Sequence, residues 1–134
     1  MYLLDTNVIS ELRKRNCNQS VKQWVMGKPS EQLYMSVLSI GEIRYDISKL
    51  TDTDKKSELL LWLENSIPDW FENRLLPIDA RVMNIWGALK ASNRALPIID
   101  SILCATALTH ELTIVTRNSK DFADVVNTVN PWQE

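Results

Sequence analysis

Short apolar runs alternate along this chain with longer stretches whose apolar residues recur every three or four positions. Tyr2-Leu3-Leu4 is the first run and reads as a buried strand. It stops at Asp5, and Thr6 and Asn7 open an amphipathic segment carrying Val8, Ile9 and Leu12, which suits a helix. Residues 16–20 are polar and turn-like, and Val21, Trp24 and Val25 then give a short helical face. Gln32-Leu33-Tyr34-Met35-Ser36 reads as a second strand, followed by a helix over 37–50 with Ile40, Ile43, Ile47 and Leu50 on one buried stripe. A polar break with capping residues at 51–54 precedes a third long helix over 55–67, whose core face is Leu59, Trp62, Leu63 and Ile67. Pro68 is expected to kink or end that helix. Residues 75–78 read as a third strand, with Pro77 favouring a sheet edge. Asp79 caps a helix in which Val82, Ile85, Trp86 and Leu89 recur at helical spacing, and Leu96-Pro97-Ile98-Ile99-Asp100 leads into another that runs to about His110. The β-branched run at 112–116 is a clear strand, 117–121 a loop or short turn, and 125–129 a last short strand before Pro131 and Trp132. Strands alternating with helices imply an α/β fold: a central parallel sheet flanked by helices, as a single domain over 1–134.

Composition narrows what such a domain does. With 134 residues, 45% of them hydrophobic, the chain builds a real core. Only 3 glycines and 5 prolines argue against a loop-rich or low-complexity protein. The two cysteines, Cys17 and Cys104, match no zinc spacing, and the single histidine, His110, offers no cluster. Cys104 lies in an apolar helical run and reads as a reduced core residue, which fits a cytoplasmic protein. Structure begins at residue 2 with no basic stretch before it, so no signal peptide is expected. The longest apolar run, residues 59–63, is far too short to cross a membrane. A net charge of −2 is not the footprint of a general nucleic-acid binder. If nucleic acid is the substrate, the contacts are local or a metal supplies the missing positive charge.

Four acids occupy comparable places on this map. Asp5 ends the first strand, Glu42 lies early in the helix after the second, Asp100 opens the helix before the 112–116 strand, and Asp121 follows that strand's exit. Strand exits and helix entries share the carboxyl edge of a parallel sheet, the edge at which ligands bind. Each acid has a bland reading too. Asp5 or Thr6 caps a helix, Glu42 pairs with Ser39 in a capping box, Asp100 is a helix cap, and Asp121 is a solvated surface acid. Asp100 is the hardest to dismiss, because Leu103, Cys104 and Ala107 place it atop an apolar face. Two unit charges about 4 Å apart repel by ~4 kcal/mol at an effective dielectric of about 20, so such a cluster calls for a cation. All-oxygen ligands select Mg²⁺ or Mn²⁺, and the chemistry implied is phosphodiester hydrolysis.

At this point the residues resemble a family. Leu3-Leu4-Asp5-Thr6-Asn7-Val8-Ile9-Ser10-Glu11-Leu12 is similar to the opening of the PIN-domain ribonucleases, specifically the VapC-type toxins of bacterial toxin–antitoxin pairs with their FitB-like group. Ser36-Val37-Leu38-Ser39-Ile40-Gly41-Glu42-Ile43 resembles the second motif, and the run from Asp100 to Ala107 the third. The run from Leu112 to Phe122 resembles the fourth, and Asn130-Pro131-Trp132 the usual ending. Ser101 and Leu103-Cys104 depart from the common third motif as packing variation. The fourth acid is the least constant in the family: some members carry it where this chain has Asn118, others where it has Asp121.

The resemblance implies an Mg²⁺-dependent (or Mn²⁺-dependent) endoribonuclease toxin with catalytic residues Asp5, Glu42, Asp100 and Asp121. Asp5, Asp100 and Asp121 would hold the metal, Glu42 would position or deprotonate the attacking water, and Thr6, Thr116 and Asn118 would orient the carboxylates. Substrate contacts would fall to basic residues such as Arg13, Lys14, Arg15, Arg44 and Arg117. It also implies a homodimer, RNA as substrate, a small cognate antitoxin, and operator DNA reached only through that antitoxin. The apolar run 59–63 sweeps more than a full helical turn and leaves a remainder for such a partner, unless packing against the sheet and Trp70 or Phe71 covers it. The competing reading is a catalytically silent PIN-like module that acts with its antitoxin at operator DNA. A dehalogenase-like phosphatase needs a second aspartate where this chain has Asn7.

Overall fold

Leu3 and Leu4 show how the sheet is buried. In the computed structural model, which describes residues 1–93, 95–122 and 124–133, both are fully buried but on opposite faces. Strand β1 (Tyr2–Leu4) pairs in parallel with β2 (Leu33–Ser36) on one side and β4 (Thr113–Val115) on the other. β3 (Leu75–Leu76) lies outside β2 and β5 (Thr128–Val129) outside β4, giving the order β3-β2-β1-β4-β5, all parallel. Side chains alternate across each strand. Leu4, Leu33, Met35 and Val115 therefore enter one core cluster, while Leu3 and Ile114 enter a second on the opposite face.

The first cluster is closed by α1 (Thr6–Arg13), α2 (Gln19–Met26), α3 (Val37–Ser48) and the segment from α4 (Thr53–Leu61) to α5 (Ile67–Phe71). Val8, Ile9, Val21, Val25, Ile43, Ile47, Leu63, Ile67 and Phe71 are its buried members. The second is closed by α6 (Ala80–Ser92), α7 (Ile98–His110) and the short α8 (Ser119–Phe122), through part-buried Leu89 and buried Leu103, Cys104, Ala107 and Phe122. Several helix starts carry the side-chain cap their sequence offers. Asn18, Asp52 and Asp79 accept from the amides of Val21, Lys55 and Val82, each worth about 1 kcal/mol. Arg74, after α5, donates to the carbonyls of Ser30, Leu33 and Trp70 and so ties that segment to the start of β2.

The expected elements are present; the third long helix is interrupted just ahead of Pro68, and three other elements differ from expectation. Pro68 itself sits in the first turn of α5. Proline removes one amide and crowds the carbonyl four residues back; just upstream the backbone widens into a π-type turn over Trp62–Ser66, where the Ile67 amide donates to the Trp62 carbonyl. The third strand is only Leu75–Leu76, because Pro77 cannot extend the ladder; it is an edge strand, as Pro77 implied. The last strand is only Thr128–Val129, because the amides of Val125 and Val126 turn back to the carbonyl of Phe122. Finally, α7 begins at Ile98, which puts Asp100 inside its first turn. Of the apolar run 59–63, Leu63 is buried, Leu59, Leu60 and Trp62 pack against the core, and Leu61 is 62% exposed. Among the described residues, no helix is long and apolar enough to cross a membrane.

Candidate active site

The carboxyl edge of the sheet is where β1, β2 and β4 hand over to α1, α3 and the turn before α8. Asp5 sits at the centre of that edge. Its amide extends the sheet by donating to Val115 O (2.9 Å). Its carboxylate caps α1, with Oδ1 accepting from the Thr6 amide at 2.7 Å. Oδ2 accepts from the Thr116 hydroxyl at 2.8 Å and lies at the limit of reach (3.5 Å) of Asn7 Nδ2. Capping and chemistry are thus not alternatives for Asp5, since the cap occupies one carboxylate oxygen.

Only 9% of Asp5 is exposed. Burial pushes its carboxyl up to about 6, against the lowering pull of the Thr116 hydroxyl and the Thr6 amide, and the charges of Glu42 and Asp100 push the same way as burial. Asp100, part-buried, is also raised, first by burial and then by Asp121 and Glu42. Asp5 and Asp100 therefore each feel other acids of the edge. Cys104, one turn below Asp100, has its thiol pushed up to about 12 by burial and then by Asp100 and Asp5, so it is an inert core thiol.

Glu42 is held from the opposite side. The Thr6 hydroxyl donates to Glu42 Oε1 at 2.6 Å and lies 2.7 Å from Ser39 Oγ. An ionised carboxylate only accepts, so the single Thr6 proton belongs to Glu42 and Ser39 donates to Thr6. This replaces the capping-box reading. Ser36 caps α3 by accepting from the Leu38 amide, which leaves Ser39 and Glu42 inside the helix with side chains turned to α1. Asp100 is no cap either: its carboxylate makes no hydrogen bond among the described residues. Asp121 is exposed on α8, its amide donating to Asn118 O at 3.0 Å.

Glu11, a buried carboxylate that the site does not include, is the useful contrast. It accepts from the Asn18 amide and pairs with Lys14, and those partners, the amide first, hold it below the usual carboxylate range. Such a group is a structural acid. Among the described residues, no ion pair includes Asp5, Glu42, Asp100 or Asp121. Nor is any trio of Asp, Glu, His or Cys side chains already close enough to grip one ion. The acids share the rim but stand apart, as like charges held by separate elements do. The donor set nonetheless fits a hard divalent cation: it is all oxygen and uncompensated.

Thr6 and Thr116 each donate a hydroxyl hydrogen bond to a carboxylate of the edge, Glu42 and Asp5 respectively. Asn118 enters differently from expectation, through its backbone, its amide donating to Thr116 Oγ1 at 3.1 Å. Two contributors escaped sequence reading. Ser39 is fully buried against Thr6, and Asn7 joins Thr116 Oγ1 (3.3 Å) to the Arg117 amide (3.3 Å). The basic residues are mostly engaged elsewhere: Arg13 with Glu58, Lys14 with Glu11, Arg44 with Glu64. Arg117 stays near the rim, its guanidinium 5.2 Å above the Trp132 ring.

Fold and edge together define an α/β domain with an oxygen-donor acidic site at the carboxyl ends of its strands. A family model of the PIN domain matches residues 2–127, and the chain belongs to the PIN-domain family. It is 36% identical to the toxin FitB of Neisseria gonorrhoeae over the whole of both chains, which places it with the FitB-like, VapC-type members that its motifs resembled. It is also 29% identical to the VapC ribonuclease Y4jK of Sinorhizobium fredii over 99% of each chain. A solved structure of FitAB bound to a DNA fragment superposes with a TM-score of 0.90 at 34% identity, covering 98% of this chain and 96% of that one.

Proposed function

We propose that this chain is a metal-dependent endoribonuclease toxin, restrained by a small antitoxin. The observation that carries the reading is the Asp5–Glu42–Asp100–Asp121 edge, in which burial and neighbouring acids raise Asp5 and Asp100 and, among the described residues, no ion pair answers them. Asp5, Asp100 and Asp121 would hold Mg²⁺ or Mn²⁺. The ion would supply the positive charge that makes water acidic and stabilises a phosphodiester transition state. Thr116 and the Thr6 amide fix both oxygens of Asp5. Thr6 holds Glu42 with its second oxygen free to take the proton of an attacking water. Asp100 and Asp121, without hydrogen bonds to their carboxylates among the described residues, are free to turn toward an ion.

The relatives support this reading, one being named a VapC ribonuclease and another a toxin. FitAB bound to DNA supports a partner protein that brings the toxin to an operator. On this chain the antitoxin would dock along α3 and α4, over exposed Leu61 and a neighbouring groove of ≈ 640 Å³ floored by Ile43, Ile47, Leu59 and Trp62, and send a basic side chain to the acidic edge. A homodimer would present two such edges. The test is to induce the chain in a bacterial host and sequence the 5′ ends of the RNA. New ends at defined sites, absent on induction of Asp5→Asn, are expected. Identical end profiles would favour a silent module that acts only through operator DNA.

A further inference from the structure

Thr116 has one hydroxyl proton and two lone pairs, and all three are committed. It donates to Asp5 Oδ2 at 2.8 Å and accepts from Asn7 Nδ2 at 3.3 Å and from the Asn118 amide at 3.1 Å. So fixed, its proton has only Asp5 to point at. The partners of Thr116 are held in turn from the far end of the chain. Asn7 Oδ1 accepts from the Arg117 amide, and Arg117 O accepts from Asn130 Nδ2 at 3.2 Å. Asn130 Oδ1 accepts from the Trp132 amide at 2.9 Å, and the Trp132 ring lies under the Arg117 guanidinium. The tail itself is anchored, with Val129 O accepting from the Thr116 amide, Pro131 O from Ser20 Oγ on α2, and Trp132 packed against the first core cluster.

We infer that Asn130 and Trp132 are positioning residues for the acidic site. They clamp the 116–118 turn so that Thr116 and Asn7 hold the Asp5 carboxylate in the orientation an ion requires. The inference rests on the metal-dependent reading above. The Asn130–Arg117 hydrogen bond is solvent-exposed, and an exposed hydrogen bond adds little to net stability. Its value lies in geometry, because a carboxylate ligand works only within narrow tolerances and the groups behind it set them.

Asn130→Asp isolates this link. Aspartate still accepts from the Trp132 amide and so keeps the tail's own turn, but it has no donor for Arg117 O. Trp132→Ala removes the stacking face, and Trp132→Phe restores one. The readouts are Mg²⁺ affinity by calorimetry with the metal alone, hydrogen exchange of the Arg117 and Asn118 amides, kcat and KM on RNA, and melting in EDTA. For Asn130→Asp we expect about tenfold weaker Mg²⁺ binding, faster exchange at both amides, lower kcat at little-changed KM, and near wild-type melting. Trp132→Ala should lose Mg²⁺ affinity and kcat in the same way, and Trp132→Phe should recover them. Wild-type Mg²⁺ affinity and kcat in Asn130→Asp overturn the inference, whether or not exchange quickens. So does a loss in either variant that merely tracks lowered melting. These outcomes are read against a wild-type chain that binds Mg²⁺ and cleaves RNA. A wild-type chain that does neither overturns the functional reading first, and the clamp's role with it.

Discussion

Asp5 and Glu11 are both buried carboxylates on the same short stretch, and their surroundings push them in opposite directions. Glu11 gains a donor amide and an ammonium, while Asp5 gains two hydrogen bonds but also burial and like charge. The sign of the consequence follows from linkage. An acid whose folded pKa, about 6, exceeds its unfolded value of 3.8 binds its proton more tightly when folded. Its ionisation therefore costs stability progressively between pH 3.8 and about 6 and fully above that. In EDTA at pH 7, Asp5→Asn should be more stable than wild type, by at most about 3 kcal/mol, and the gap should close as pH falls through 6 toward 4. Chemical denaturation across that range checks it; an Asp5→Asn variant less stable at pH 7 makes Asp5 a structural residue. Glu42, held by the Thr6 hydroxyl at the edge, is proposed as the base and not as a metal ligand. Glu42→Gln should lower kcat by roughly 10²-fold or more while Mg²⁺ affinity changes little. Equal losses in rate and affinity would instead make Glu42 a metal ligand.

At the scale of elements, the run through α4 and its π-type turn divides its apolar residues between core and surface. Leu60 packs against the first cluster, whereas Leu61 points out. Leu61→Glu should leave a folded chain that has lost affinity for its antitoxin, and Leu60→Glu should melt markedly earlier; circular dichroism and a binding titration separate the two. A Leu61→Glu chain that binds its antitoxin unchanged removes this face from the docking surface. These elements were largely legible because burial imposes local periodicity. The apolar run of β1, the helical spacing of Ile43 and Ile47 and the capping residues of the 51–54 break, of which Asp52 is the one that caps, are all local signals. What misled was chemistry acting at a distance. Ser39 and Glu42 fit a capping box by spacing, yet they bond to Thr6, 33 and 36 positions away, in preference to the α3 terminus. Asn7 reaches Thr116 across 109 positions, a link with no periodic signature in the sequence. Pro68 was legible as an interruption of the long helix, but not the form it takes, a π-type turn just ahead of a proline in a first helical turn.

The molecule as a whole arranges distant acids by topology. A parallel sheet sends every strand exit to one edge, so Asp5, the α3 start that carries Glu42, and the turn from Thr116 to Asp121 meet there, and α7 adds Asp100. That is why the four acids could be grouped from the element order alone, whereas their spacing could not: burial and neighbouring acids raise Asp5 and Asp100, yet among the described residues no trio closes on a point. On the proposed reading, a divalent ion supplies the positive charge that the described residues do not bring to this edge. The most direct test is RNA cleavage by the purified chain during a Mg²⁺ titration, beside Asp5→Asn and Asp100→Ala. Cleavage that rises saturably with Mg²⁺, vanishes in EDTA and is lost in both variants while each remains folded is the expected result. Cleavage that persists in EDTA, or that either variant retains, would contradict a metal-dependent acidic site.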